Sequence, residues 1–391
     1  MPTYRPAPVQ FISGSGCRLT DVNGKSYLDF LSGIAVTSLG HAHPAIRDAV
    51  TEQVAKLLHV SNLFETGLNE EVAGTLDRLI GDGKPAGGKV FFTNSGAESN
   101  ECALKLARRY GGPGRYAVVS AYGSFHGRTL ATLHATGQPT KHEPFAPLPE
   151  GFRHVAYGDI SALDHALDGS VVAAVLLECI EGEGGVIPAP PGYLKAVRKL
   201  CDERNILMML DEVQTGLGRT GRWFAFQHEG IVPDVVTMAK SLGNGMPVGA
   251  CWAKAEVAEA FQVGDHGTTY GGQPLAMSAV RATLQTMIEL DTPRLATRQG
   301  AYLRAAVEGL SGVSSVRGAG LLLGAVLEEG IDAAAVVNHA LGLGLVLNSP
   351  VPGVIRLVPP LIVTQDECDE AVKILGEAIQ SVKTQESRAT S

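Results

Sequence analysis

The stretch Val235-Val236-Thr237-Met238-Ala239-Lys240-Ser241-Leu242-Gly243-Asn244-Gly245 decides the fold class. A β-branched apolar run reads as a buried strand, and this one stops at a lysine followed by a glycine-containing loop. Lys240 is thereby placed at the carboxyl end of a strand, the edge of an open α/β sheet where ligands bind. Burial at that edge penalises the ammonium, lowers its pKa and frees the amine as a nucleophile. The same letters taken alone describe a lysine that caps a strand and reaches solvent. The neighbouring segments decide between the two.

Immediately upstream, Ile206-Leu207-Met208-Met209-Leu210 ends in Asp211-Glu212-Val213-Gln214. Before it, residues 171–177 are apolar on both faces, the mark of a central parallel strand. They end in Glu178-Cys179-Ile180-Glu181-Gly182-Glu183-Gly184-Gly185, three carboxylates on a glycine-bearing loop. Earlier still, Lys89-Val90-Phe91-Phe92-Thr93 leads through Asn94-Ser95-Gly96-Ala97-Glu98 into a helix with Ala103, Leu106, Ala107 and Tyr110 on one face. Strand, small-residue turn and helix aim backbone N–H groups and a positive dipole end at an anion, although an ordinary N-cap gives the same letters. A strand near residues 116–120 precedes Phe125-His126-Gly127-Arg128-Thr129. The aromatic suits a planar ring and the arginine a carboxylate; a plain surface loop is the alternative.

Alternation of strand and helix from about residue 89 to 252 predicts a largely parallel sheet with helices on both faces. Ser95, Glu178, Asp211 and Lys240, far apart in sequence, then fall along one edge. A helix is expected from about 191 to 205, and a long amphipathic run near 274–290. The last hundred residues read as an α+β unit: strands near 320–327, 345–347 and 354–358, then a helix opened by the capping-box pair Thr364 and Glu367. The tail from about Gln385 is polar and expected to fray. At the other end, Asn23-Gly24 between two alternating runs predicts a hairpin. Gly24-Lys25-Ser26 resembles the end of a phosphate loop, but Leu19 stands where its first glycine belongs. His41 and His43 have no third ligand nearby and read as structural. We expect an N-terminal segment, 1–60, shared between the small domain and dimer contacts. A large cofactor-binding domain, 61–290, and a C-terminal small domain, 291–391, follow.

Composition narrows the classes. With 45% hydrophobic and 18% charged residues, the 391-residue chain can fill a large core and leaves little for long disordered segments. Lysine plus arginine (32) against aspartate plus glutamate (40) gives −8 and no basic patch, so no nucleic-acid partner is expected. Six scattered cysteines without C-x-x-C read as core residues of a reducing compartment. The start, Met1 to Pro8, lacks the apolar core of a signal peptide. No apolar run approaches the ~20 residues that span a bilayer. A cytoplasmic location, with no membrane partner, follows as the expectation; no metal site is expected.

An anion cradle, a stacking aromatic, a buried carboxylate and a strand-end lysine together fit pyridoxal 5'-phosphate, whose ring nitrogen needs an acidic partner. At this point the chain resembles the class III pyridoxal-phosphate aminotransferases along nearly its whole length. The motifs that carry the resemblance are Gly33-Ile34-Ala35-Val36-Thr37, Leu39-Gly40-His41, His59-Val60-Ser61-Asn62, Asn94-Ser95-Gly96-Ala97-Glu98 and Phe125-His126-Gly127-Arg128-Thr129. To these are added Asp211-Glu212-Val213-Gln214-Thr215-Gly216, Gly218-Arg219-Thr220-Gly221 and Thr269-Tyr270-Gly271-Gly272.

The resemblance implies a fold-type I α/β transferase. Its large domain has a mostly parallel seven-stranded sheet, and a smaller α+β domain is built from both termini. It implies that Lys240 binds the cofactor covalently and shuttles the proton, while Asp211 keeps the ring nitrogen protonated. Val213 and Phe125 would flank the ring, with Gln214 near its phenolic oxygen and Glu212 counted among the cofactor residues. Ser95, Gly96 and Ala97 would hold the phosphate, with Thr269 reaching the phosphate of the other subunit of a homodimer whose active sites are shared. Arg128 would bind the substrate carboxylate distal to the reacting amine and Arg356 the α-carboxylate of glutamate. Glu183 would pair with Arg356 when a substrate has no carboxylate there, and Thr268 would lie beside the substrate. Ser61-Asn62, Leu347-Asn348 and the compact length point, within the family, to N-acetylornithine and 2-oxoglutarate/glutamate as substrates in arginine biosynthesis. The rivals are a carrier-linked lysine-pathway aminotransferase, an aminomutase on the same scaffold and a non-catalytic binder. Cys179, Glu181 and Gln273 depart from the family's usual proline, glutamine and asparagine. Glu181 is read as a solvated substitution, and Thr268 replaces a serine.

Overall fold

A computed structural model describes residues 1–4, 8–167 and 169–389. Residues 5–7 of the proline-rich lead and the last two of the polar tail lie outside it. Its centre is a seven-stranded sheet in the spatial order Gly88–Thr93, Gly249–Lys254, Val235–Met238, Leu207–Asp211, Val172–Glu178, Ala117–Ala121 and Phe152–Val155. Every pairing from Val235–Met238 to Phe152–Val155 is parallel. Gly249–Lys254 alone runs antiparallel, to both of its neighbours. Each residue of Val172–Glu178 is buried, as an all-apolar strand covered on both faces requires.

Register aligns the chemistry. Asp211 stands opposite Glu178 on one side and Thr237 on the other, so three polar strand ends are neighbours at the carboxyl edge. Over this edge lies the helix Gly96–Gly111, N-capped by Ser95, whose Oγ accepts from Glu98 N at 3.2 Å. Arg108 and Arg109 close its last turn, opposite in sign to the dipole there. Its inner face buries Cys102, Ala103, Leu104, Leu106 and Ala107. Each leucine contributes roughly 1.5–3 kcal/mol of burial. The expected helix near 191–205 spans Tyr193–Arg204. The run near 274–290 is the helix Pro274–Glu289, buried on most of its surface rather than amphipathic.

The Asn23-Gly24 hairpin is present, joining Arg18–Asp21 to Ser26–Asp29 with Gly24 at φ 82°. Ser26–Asp29 also pairs in parallel with Leu345–Val346, bringing the two ends of the chain into one sheet. Val313–Ala319, Leu322–Leu327 and Val354–Leu357 form a separate antiparallel sheet. The first of these strands was not expected, since its half-exposed letters, Val-Ser-Ser-Val-Arg-Gly-Ala, carry no strong alternation. The capping box holds: Thr364 N donates to Glu367 Oε2 at 2.8 Å and Glu367 N to Thr364 Oγ1 at 3.3 Å. That helix runs Gln365–Ala389, so the backbone expected to fray from Gln385 stays helical to Ala389. His41 bonds Asp29 Oδ2 at 2.7 Å, a structural contact. All six cysteines are buried and unpaired. Among the described residues no helix is long and apolar enough to cross a membrane.

Candidate active site

A cavity of about 380 Å³ opens at the carboxyl edge of the large sheet. Ser95, Gly96, Ala97, Phe125, Arg128, Glu178, Glu183, Asp211, Val213, Gln214 and Lys240 all line it. Side chains from five separated segments therefore converge as the strand ends require.

Lys240 sits two residues beyond its strand, with a left-handed backbone of φ 44°. A lysine in that region costs ~1 kcal/mol, which the surrounding turn must hold in place. The turn is pinned by the next residue. Ser241 Oγ bonds Ser38 Oγ at 2.6 Å and Ala35 O at 3.1 Å, and buried Arg219 reaches Ser38 Oγ at 2.9 Å. The Lys240 ammonium makes no hydrogen bond or ion pair among the described residues. Burial first, and then the Arg356 charge, hold its pKa below the ordinary lysine value; Glu183, Asp211 and Glu178 oppose them.

Asp211 is 4% exposed and fully anchored. Oδ2 accepts from Asn100 Nδ2 at 2.7 Å and from His126 Nδ1 at 2.8 Å, and Oδ1 accepts from Val213 N at 3.0 Å. Asn100 is itself fixed, donating to His126 O at 2.8 Å and accepting from Thr237 Oγ1 at 2.7 Å. With Nδ1 donating, His126 leaves Nε2 buried without a partner. Asn100 and His126 were not named as site residues from sequence. The available signal was an amide inside the apolar face of a helix, where asparagine is disfavoured unless it has a local task.

The neighbouring carboxylates differ. Glu178 accepts from Phe125 N at 2.9 Å and Gly182 N at 3.3 Å. Burial pushes it up to about 8, with His126 pulling against the charge of Asp211. Glu183 bonds Arg356 Nη1 at 2.6 Å. Burial would raise it, but Arg356 and Lys240 bring it below the usual carboxylate value. Arg356 is fully buried, held also by Asn348 Oδ1 at 3.1 Å and Gln214 Oε1 at 3.2 Å, while its Nη2 has no partner.

Two expectations change, those for Glu181 and Glu212. Glu181 is not a solvated substitution: it is 1% exposed, one oxygen lacks a partner, and burial pushes it up to about 8. At neutral pH it therefore adds little negative charge. Glu212 turns away from the cavity, its carboxylate bonded to Phe226 N at 3.0 Å, Cys179 Sγ at 3.4 Å and the Thr215 hydroxyl. Thr269 is exposed and lines a separate depression with Ser61, Asn62 and Gly272, away from the cavity of its own chain. Thr268 is tied to the cavity rim, its Oγ1 accepting from Asn94 Nδ2 at 3.2 Å and Gly271 N at 3.1 Å.

The residues present fit pyridoxal phosphate. A helix N-terminus at Gly96 and Ala97 can take the phosphate, where a Cβ on Gly96 would meet Val213 Cγ1 at 2.9 Å. Val213 and Phe125 supply apolar walls, a buried carboxylate lies behind them, and an unpartnered amine faces the space.

The chain matches the family model for class-III aminotransferases over residues 2–379. It is 49% identical over 382 residues to acetylornithine aminotransferase of Corynebacterium efficiens, covering 96% of this chain and 94% of that one. The N-acetylornithine aminotransferase structure from Stenotrophomonas maltophilia superposes with TM-score 0.85 at 36% identity, covering 98% of each chain. Ornithine aminotransferase from Toxoplasma gondii, described with partial occupancy of PLP at its active site, gives TM-score 0.93 at 32% identity, covering 98% of this chain and 93% of that one.

Proposed function

The chain belongs to the class-III aminotransferases, and we propose that it moves the δ-amino group of N-acetyl-L-ornithine to 2-oxoglutarate. The products are N-acetyl-L-glutamate 5-semialdehyde and L-glutamate, a step of arginine biosynthesis. The observation that carries this reading is the pair of arginines around one unpartnered lysine, Arg128 open and Arg356 masked by Glu183.

Bound pyridoxal phosphate supplies an aldehyde for covalent attachment and a ring that withdraws electrons from the substrate carbon. The rest falls to the protein. Lys240 Nζ would hold the cofactor covalently and, once displaced by the incoming amine, would be the base that accepts the proton leaving the substrate carbon. Asp211, fixed by Asn100 and His126, would hold the ring nitrogen protonated. Gly96 and Ala97 offer N–H donors to the phosphate, and Ser95 orders that turn as its cap. Val213 and Phe125 exclude water from the two faces.

Substrate choice follows from charge. Both N-acetylornithine and 2-oxoglutarate carry a carboxylate distal to the reacting carbon, and Arg128 receives either. Glutamate carries a second carboxylate next to the reacting carbon, which replaces Glu183 on Arg356. N-acetylornithine has none there, so the Glu183 pair stays closed and Arg356 is not left buried and unpaired. Breaking such a pair without a replacement costs roughly 3–5 kcal/mol.

Thr269, turned from its own cavity, fits a homodimer in which it reaches the partner's phosphate, and a cytoplasmic location is part of the same proposal. The division at about residues 60 and 290 belongs to the same proposal, supported by the pairing of Leu345–Val346 with Ser26–Asp29.

Steady-state kinetics tests the reading. Turnover should require both substrates and give parallel reciprocal plots; turnover without 2-oxoglutarate would indicate an aminomutase instead. Arg128→Ala should raise KM for both substrates together, by roughly tenfold or more, the scale of a lost charge-assisted contact. A rise for one substrate only would sink the shared-arginine assignment.

A further inference from the structure

Two cations meet at the ring of Phe125. Arg128 Cζ lies 5.5 Å from its centroid and Lys141 Nζ 5.3 Å. Among the described residues neither forms an ion pair with a carboxylate. Lys141 donates to the neutral amide oxygen of Gln138. Gln138 in turn donates to Ser124 O at 2.9 Å and Gly123 O at 3.4 Å, backbone of the loop that carries Phe125. Lys141 is thus linked through Gln138 to the loop that carries Phe125 and Arg128. Burial, and next the Arg128 charge, lower its pKa, while Glu183 across the cavity opposes them.

One aromatic face compensates a cation by ~0.5–1 kcal/mol at an exposed site, too little to explain two like charges held together. An anion within reach of both would. The arrangement is that of a carboxylate subsite built from two cations, one a planar fork and one a flexible point charge. Lys141 stands outside the wall of the cavity, so it adds its field to Arg128 and needs only its flexible stem to reach an anion held there.

We propose that Lys141 is the second cation of the subsite for the carboxylate distal to the reacting amine, selecting amino donors that bear it. This rests on the transaminase reading above and adds to it a specificity-determining residue.

The test compares N-acetylornithine with N-acetylputrescine, the same amine without the carboxylate, in the holoenzyme and in Lys141→Met and Lys141→Arg. The preference in kcat/KM for the carboxylated donor should fall about tenfold in Lys141→Met, with a similar rise in KM for 2-oxoglutarate, and return largely in Lys141→Arg. A merely structural role would lower both donors equally and leave the preference unchanged, which would overturn the proposal. So would an arginine variant that behaves like the methionine one. If the unaltered enzyme fails to turn over N-acetylornithine at all, the transaminase reading itself falls and this inference with it. If the unaltered enzyme prefers the carboxylated donor and Lys141→Met does so equally, only the inference falls.

Discussion

Lys240→Ala is expected to lower multiple turnover by about 10,000-fold or more, the upper end of what a positioned acid–base group contributes, because it also removes covalent attachment. Among the described residues no other lysine lines the cavity. Lys141 lies outside the cavity wall, and the remaining cations at the site are arginines, which do not give up a proton near neutral pH. The variant should fold. Alanine meets the same left-handed backbone at φ 44° that lysine does, and the bonds pinning the turn come from Ser241, Ser38 and Arg219. Phosphate and ring contacts survive, so the variant should bind the cofactor without a covalent link. A small primary amine added to the buffer should restore part of the rate. Turnover within about tenfold of the unaltered enzyme would remove Lys240 from the mechanism.

Asp211→Asn is expected to cost roughly 1,000-fold in kcat, the scale of losing one preorganised charge opposite developing charge. The side chain keeps its size, but it can no longer oppose a ring-nitrogen proton with a full negative charge. It also presents an NH₂ group where two donors, Asn100 Nδ2 and His126 Nδ1, now converge on Oδ2. His126 can accommodate this by moving its proton to Nε2, which has no partner to lose. The Asn100 Nδ2 donor, or Val213 N with the amide turned the other way, still meets the new NH₂ group, at a cost of roughly 1–3 kcal/mol, so the expected result is a folded protein with a lowered melting transition and a slow half-reaction. A kcat within about tenfold of normal would show that the carboxylate does not set the electron demand.

Much of this site was legible because strand ends are legible. Apolar runs ending in Lys240, Asp211 and Glu178, and the turn after Thr93, each mark a carboxyl edge, and right-handed parallel topology leaves one edge for them to share. What stayed hidden depends on packing across segments. Asn100 shows its role only when the helix Gly96–Gly111 lies over Asp211 and Thr237. Glu181 was misread because its desolvation comes from close backbone: a Cβ on Gly123 would meet its Oε2 at 2.7 Å and one on Gly184 at 2.9 Å. Glu212, adjacent in sequence to Asp211, alternates to the opposite side and serves the loop at Phe226. Lys141 was invisible for the same reason, since its nearness to Arg128 passes through the ring of Phe125 and the amide of Gln138. The antiparallel course of Gly249–Lys254 cannot be read from a strand's own letters, which report burial and not direction.

The central claim is that Lys240 and its surroundings accept an amine from N-acetylornithine and pass it to 2-oxoglutarate. The most direct measurement mixes the purified holoenzyme with N-acetylornithine alone and follows the visible absorbance of the lysine-linked cofactor in a single turnover. The account predicts rapid, stoichiometric loss of that band and its full return on adding 2-oxoglutarate. A band that persists with N-acetylornithine yet bleaches with ornithine, 4-aminobutyrate or glutamate semialdehyde would contradict it.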